Sequence, residues 1–212
     1  IDEPMKKHST FGIGGLAKVL LLPKKETEVV SILKYCNYKK IRTCFIGSGS
    51  NLLFSDEGFD GVIISLKKAF KNLEVSDNGD IRVGSGVILV KMVREAIKKN
   101  IKGLESLSGV PGTLGGALYM NAGAYGAEIS NYFISAKLLD INGDKVVLTS
   151  KDVSFSYRNS TFPNNHILVE ASFKCEKGDI DKILANKNKF SKSRRDNQPL
   201  RYPSAGSVFK NP

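Results

Sequence analysis

Apolar residues fall into two rhythms along this chain. Residues 16–22 (LAKVLLL) form a continuous apolar run closed by Pro23, which predicts a strand. From Glu26 to Tyr38 the spacing changes. Val29, Val30, Ile32, Leu33 and Cys36 recur at helical intervals, and Thr27 is the candidate cap behind an unfavourable Lys24-Lys25 pair. Ile41–Ile46 and Gly61–Leu66 predict further strands, and Leu52-Leu53-Phe54 between them is strand-like. Asp77-Asn78-Gly79-Asp80 is a hairpin turn between Leu73–Ser76 and Ile81–Val83. Val90–Asn100 is amphipathic and ends in lysines, as a helix C-terminus prefers. A second hairpin runs over residues 136–149 around Asn142-Gly143-Asp144, and Ile167–Cys175 predicts another strand. Asp179 is placed to cap a helix from Ile180 to about Arg194.

Strands with a few helices, in segregated rather than regular βαβ order, predict an α+β architecture and not a doubly wound sheet. No internal repeat occurs, and no linker is long enough to separate independent domains. No apolar run reaches the length of a membrane span, so no membrane insertion is expected, and the N-terminus has no signal-peptide pattern.

Composition changes this picture in two ways. The three cysteines, Cys36, Cys44 and Cys175, are scattered and lack Cys-x-x-Cys spacing, so reduced thiols in the cytoplasm are expected, with no metal site and no disulfide framework. The net charge of +11 suits an anionic partner: nucleic acid, an acidic membrane surface or a phosphorylated small molecule. The densest basic stretch, Lys182–Arg201, holds seven Lys/Arg and one acid, Asp196. A solvated helix face explains it equally well. Phe190 is the one aromatic among these cations and no nucleic-acid motif appears, so a nucleic-acid-binding protein is the remote alternative.

Two glycine loops carry the candidate chemistry. The first is Ile46-Gly47-Ser48-Gly49-Ser50-Asn51. Glycines let consecutive N–H groups turn inward into an anion-binding nest, and serine hydroxyls add donors. It is neither a Walker A loop nor a full dinucleotide fingerprint, because Leu52 stands where a third glycine would fall. A plain strand-turn-strand connection fits it equally well. The second loop, Gly109–Gly126 (GVPGTLGGALYMNAGAYG), has six glycines in an apolar setting. Thr113 would open a short helix, Leu114–Asn121, whose N-terminus attracts phosphate. Close backbone packing is the alternative. Two such loops in one basic chain favour a ligand with two phosphates, gripped from both sides.

Five motifs in this order resemble one family. They are His8–Gly15 (HSTFGIGG), GSGSNLLFSD, GVPGTLGGALYMNAGAYG, Ser156-Tyr157-Arg158-Asn159-Ser160, and Pro203–Pro212 (PSAGSVFKNP). Together they look like the UDP-N-acetylenolpyruvoylglucosamine reductases of bacterial peptidoglycan precursor synthesis, in their shorter, second type. The resemblance covers nearly the whole chain. It implies a two-part FAD-binding unit of the vanillyl-alcohol-oxidase (PCMH) type, with parts at 1–66 and 67–178, then the start of a substrate domain at 179–212. Ser207 would belong to that domain's first strand. The implied FAD contacts are Ile46, Gly47, Ser48, Gly49, Ser50, Asn51 and Leu52 from the first loop, with Val110, Pro111, Gly112, Gly115, Gly116, Ala122 and Gly123 from the second.

The resemblance also implies a reaction: NADPH reduces FAD, and hydride then passes to the enolpyruvyl double bond of a UDP-sugar substrate. Arg158 matches the family's arginine that stabilises charge at the substrate carboxylate. Ser207 matches the serine that protonates the other carbon. Asn211 matches a substrate-binding asparagine. Arg194 and Gln198 lie where the family contacts the UDP phosphates, although Asn197 stands where relatives often carry lysine. Tyr125 and Tyr157 are expected to line the cleft. The family's third catalytic residue, a glutamate, lies beyond Pro212, so this polypeptide is expected to bind FAD and to turn substrate over poorly. A monomer is expected. The competing reading within enzymes is another flavin-dependent oxidase or dehydrogenase of the same fold.

Overall fold

The computed structural model describes residues 1–207. Strand β1 (Leu16–Leu21) leads into helix α1 (Glu26–Tyr38), and strands β2 (Thr43–Ile46) and β3 (Phe59–Ser65) follow. With the two-residue strand Glu3–Pro4 they form one sheet in the order Glu3–Pro4, β1, β3, β2. β3 pairs in parallel with both β1 and β2. The architecture is α+β as expected, with one local exception to the segregated order: α1 returns the chain so that β2 runs parallel to β3 and β1. β3 is central and buried from Gly61 to Ser65, which explains its unbroken apolar run. α1 starts one residue before Thr27. The Glu28 carboxylate, not a threonine cap, accepts the N–H groups of Lys24 at 2.7 Å and Lys25 at 3.3 Å.

The second sheet takes strands β4 (Leu73–Val75) and β5 (Asp80–Gly84), then β6 (Phe133–Leu139), β7 (Lys145–Thr149) and β8 (Ile167–Lys174). Its order is β7-β6-β8-β5-β4, antiparallel throughout. Helices α2 (Leu89–Lys98) and α3 (Leu114–Tyr119) lie between β5 and β6 in sequence, and α4 (Ile180–Asn197) follows β8. Asp179 caps α4 by accepting the N–H groups of Asp181 and Lys182. Gly79, at φ 89°, makes the β4–β5 turn that a residue with a Cβ would strain.

Each sheet has its own apolar cluster. Val83, Leu89, Met92, Leu104, Leu114, Leu118 and Phe173 are buried together under the second sheet. Full burial of each such side chain stabilises by about 1.5–3 kcal/mol. In the first sheet β3 serves two faces. Val62 and Ile64 pack with Val29, Leu33 and Cys36 of α1, while Ile63 packs with Met5, Ala17 and Ile46. The α1 cluster also contains Leu139 of β6 and Ile167 of β8, so the second sheet completes the first sheet's core.

Leu52-Leu53-Phe54 is not a strand, and Leu53 is 67% exposed. The backbone here is held from outside any ladder. Thr10 N–H donates to the Gly49 carbonyl at 3.1 Å, and the Ser9 hydroxyl donates to the Leu52 carbonyl at 3.2 Å. Among the described residues no helix is long and apolar enough to cross a membrane.

Candidate functional site

The two glycine loops face each other across a cleft of about 520 Å³. The first loop leaves the end of β2, and its base is pinned where the buried Ser65 hydroxyl donates to the Gly47 carbonyl at 3.0 Å. The loops touch directly. A Cβ on Gly47 would collide with the Thr113 hydroxyl, and one on Gly112 (φ 120°) would lie 2.8 Å from Ser50 Oγ. The Ser50 hydroxyl donates to the Pro111 carbonyl at 3.3 Å, which closes the bridge. Gly49, at φ 75°, has no room for a side chain beside the His8 carbonyl.

Helix α3 is shorter than the sequence suggests, and two of its N-terminal N–H groups are occupied. Leu114 N–H donates to the Val87 carbonyl at 2.8 Å and Gly115 N–H to the Ser85 carbonyl at 2.9 Å. Among the described residues the N–H groups of Thr113 and Gly116 at this terminus donate to no protein carbonyl, and both residues line the cleft, so the terminus keeps donors for an anion. Among the described residues, the backbone N–H groups of Ser48, Gly49, Ser50, Asn51 and Leu52 donate to no protein carbonyl. They are available anion donors, as are those of Gly112, Thr113 and Gly116 across the cleft. The glycine pair in α3 divides its work. A Cβ on Gly115 would press on Ser85 Cβ at 3.0 Å, so this glycine serves packing. A Cβ on Gly116 would meet only Thr113 Oγ1 at 3.8 Å and would stand in the cleft. A cleft wall left bare where a Cβ would intrude, with free amides opposite, fits a bulky phosphorylated group such as FAD.

Of the residues expected at the cofactor, Ile46 to Leu52, Val110, Pro111, Gly112, Gly116, Ala122 and Gly123 line the cleft, and Gly115 does not. Arg158, Tyr157 and Ser207 line it too. The Arg158 guanidinium lies 4.8 Å over the Tyr157 ring, and its Nη2 donates to the Gly123 carbonyl at 3.0 Å. Arg158 holds a left-handed backbone, φ 56°, in the turn of the short hairpin Phe155–Ser160. Such strain in a residue with a long side chain persists only where the surroundings enforce it.

Other expected residues lie elsewhere. Tyr125 turns away from the cleft, stacks on Phe190 of α4 at 4.8 Å and donates its hydroxyl to the Phe190 carbonyl at 3.1 Å. Arg194 packs over Gly109, its Cδ 2.7 Å from where a Cβ would sit. Gln198 ends α4 with its N–H on the Arg194 carbonyl at 3.0 Å and is exposed. Ser207 is not in a strand, and Asn211 falls outside the described residues.

Asn121 was not among the expected site residues. It is fully buried at φ 42°, and its amide donates to Glu128 Oε2 at 2.6 Å and to the Ser156 carbonyl at 3.0 Å. It thereby holds the strand that enters the Tyr157-Arg158 turn. Asparagine tolerates left-handed backbone better than most residues, and that is its sequence signal before Ala122-Gly123. Tyr119 also lines the cleft. Burial holds its phenol above the usual range, and it donates to Asn164 Oδ1 at 2.6 Å.

Comparison with known proteins agrees with this geometry. The FAD binding domain family matches residues 17–149. A UDP-N-acetylenolpyruvoylglucosamine reductase of Clostridium kluyveri is 41% identical over all of this chain and 69% of its own length. One from Caldicellulosiruptor bescii is 43% identical, over all of this chain and 68% of its own. The crystal structure of UDP-N-acetylenolpyruvylglucosamine reductase from Thermus caldophilus superposes with a TM-score of 0.82 at 28% identity, over 99% of this chain and 74% of that one. 6-Hydroxy-D-nicotine oxidase from Arthrobacter nicotinovorans shares the fold at a TM-score of 0.58 and 17% identity, over 74% of this chain and 36% of that one.

Proposed function

This chain belongs to the UDP-N-acetylenolpyruvoylglucosamine reductase family, and from that premise we propose that its cleft holds FAD and presents Arg158 and Ser207 to the substrate. The function is FAD-dependent reduction of UDP-N-acetylenolpyruvoylglucosamine in peptidoglycan precursor synthesis. One observation carries the site assignment: Arg158 and Ser207, far apart in sequence, line the same cleft as both glycine loops.

FAD, when bound, supplies the two-electron chemistry between a nicotinamide donor and the enolpyruvyl double bond. The residues of this chain supply the rest. Amides of Ser48 to Leu52 would bind the pyrophosphate, and Gly116 leaves space for the group to approach α3. Arg158 would grip the substrate carboxylate through two parallel N–H bonds and stabilise the negative charge that builds there. Its hydrogen bond to the Gly123 carbonyl and its seat on Tyr157 fix the guanidinium beforehand. Ser207 would give its hydroxyl proton to the substrate carbon that becomes the new stereocentre. Arg194 and Gln198, at the end of α4, would reach the UDP phosphates only with movement of their side chains. NADPH is the proposed reductant and the cytoplasm the proposed compartment, because a nucleotide sugar and NADPH are both met there.

The test is an anaerobic titration. Purified protein loaded with FAD should turn yellow and bleach on addition of NADPH. Arg158→Lys should load FAD as well as wild type, bleach equally, and lose about a hundredfold in reoxidation by substrate, the scale of removing one charge-stabilising donor. Reoxidation at the wild-type rate would remove Arg158 from the chemistry.

A further inference from the structure

Ser9 and Thr10 lie outside both glycine loops, and among the described residues their hydroxyls donate only to backbone carbonyls. Thr10 nevertheless stands at a junction. Its N–H donates to the Gly49 carbonyl at 3.1 Å. Its hydroxyl lies 2.6 Å from the Ser204 carbonyl and 3.4 Å from that of Gly49, so the single proton goes to Ser204. Ser204 N–H returns a bond to the Thr10 carbonyl at 3.2 Å. The strap then turns. Gly206 N–H donates to Ser204 Oγ at 3.1 Å, and Gly206 lies against Asn51, 3.0 Å from its Oδ1 to a Cβ position. Gly206 and Ser207 thus arrive in the cleft directly after the Thr10 contact.

We propose that Thr10 is a positioning residue that couples the first glycine loop to the Ser204–Ser207 segment, so that a ligand ordering the loop also orders Ser207. The inference rests on the reading that the cleft holds FAD. Gly49 is the shared element: its carbonyl is fixed by Thr10 on one side while the loop's free amides face the ligand on the other. A backbone restrained on both sides has fewer arrangements to lose when the second restraint forms. The coupling is therefore reciprocal, and a strap held in place tightens FAD by the factor by which FAD tightens the strap. Ser9 offers the control. It holds the same loop through Leu52, and among the described residues no hydrogen bond joins it to the strap.

The test uses trypsin cleavage after Arg201, read by mass spectrometry, with and without FAD, in wild type, Thr10→Val, Thr10→Ser and Ser9→Ala. In wild type and Thr10→Ser, FAD slows cleavage at Arg201. In Thr10→Val the FAD-free cleavage rate rises about fivefold, the protection by FAD is lost, and FAD binding by fluorescence titration weakens by a similar factor, as for one hydroxyl–carbonyl bond. Thr10→Val keeps the backbone bonds, and a melting temperature equal to that of Thr10→Ser shows an intact fold. Ser9→Ala weakens FAD binding but leaves the FAD-free cleavage rate unchanged. Equal cleavage and protection in Thr10→Val and wild type overturn the proposal. So does a wild-type cleft that takes up no FAD, whereas unchanged turnover in Ser207→Ala removes only the catalytic reading of Ser207 and leaves these readouts standing.

Discussion

Substituting alanine at Gly116 should raise stability and lower cofactor affinity at once. Gly116 lies inside α3, where alanine is favoured over glycine by about 1 kcal/mol because less backbone entropy is lost on folding. The new methyl meets only Thr113 Oγ1, at 3.8 Å, which is ordinary contact, so no strain offsets the gain. For a chain of this size that corresponds to a rise of about 2–4 °C in the melting temperature of FAD-free protein. The same methyl stands in the cleft. If FAD packs against α3 there, affinity should fall about tenfold, or ~1.4 kcal/mol. The neighbouring Gly115→Ala is the matched control: its methyl presses on Ser85 Cβ at 3.0 Å and faces away from the cleft, so the helix gain should be cancelled and FAD binding kept. Thermal melting of FAD-free protein and flavin fluorescence titration measure the two effects separately. Unchanged FAD affinity in Gly116→Ala would refute this reading of the cleft wall, and a lowered melting temperature would refute the account of its surroundings.

Three further outcomes follow from buried or shifted groups. Asn121→Ala leaves Glu128 and the Ser156 carbonyl without their partner and puts a Cβ residue other than asparagine at φ 42°, so chemical denaturation should show a loss of about 2–4 kcal/mol. Burial, with Glu105 and Glu176 nearby, pushes the Cys175 thiol up to about 12, so iodoacetamide at pH 8 should label Cys175 only after unfolding. Asp140 in the β6–β7 turn accepts N–H groups from Asp144 and Asn142, each at 2.8 Å, and these bonds hold its carboxyl below the usual value. Its contribution is present above the ordinary carboxylate pKa of about 4 and is lost as pH falls through the lower folded value. Asp140→Asn should therefore lower the melting temperature at pH 7, and the loss should shrink as pH falls below about 4.

Much of this fold was legible because its elements satisfy local rules. α1 runs over the residues that its apolar spacing marks, and Asp179 caps α4 as its side chain allows. The turn at Gly79 needed only its neighbours. What the pattern misses is pairing. Parallel contact of β1 and β2 with β3 depends on where α1 lays the chain down, and that is a tertiary outcome. Leu52–Phe54 has strand-like composition, but Ser9 and Thr10 take the carbonyls around it. At the site, the glycine loops were visible as an entropic cost in need of a cause. The division between Gly115 and Gly116 was not, because adjacent helical positions point in directions that only the packing of α3 defines. Asn121 and Tyr125 differ in the same way: one is turned inward to Glu128 and Ser156, the other outward to Phe190.

The apolar face of α1 has a consequence for the order of events during synthesis. Val29 and Leu33 are complete only when Leu139 and Ile167 arrive, more than a hundred residues later. Ribosomes add about 5–20 residues per second, so that face waits on the order of ten seconds for its cover. Contacts of such long sequence separation also slow the final docking step. The first sheet therefore emerges with an open seam that attracts chaperones, and replacing Leu139 or Ile167 by a polar residue should lengthen chaperone dwell on the nascent chain before it alters anything in the finished cleft.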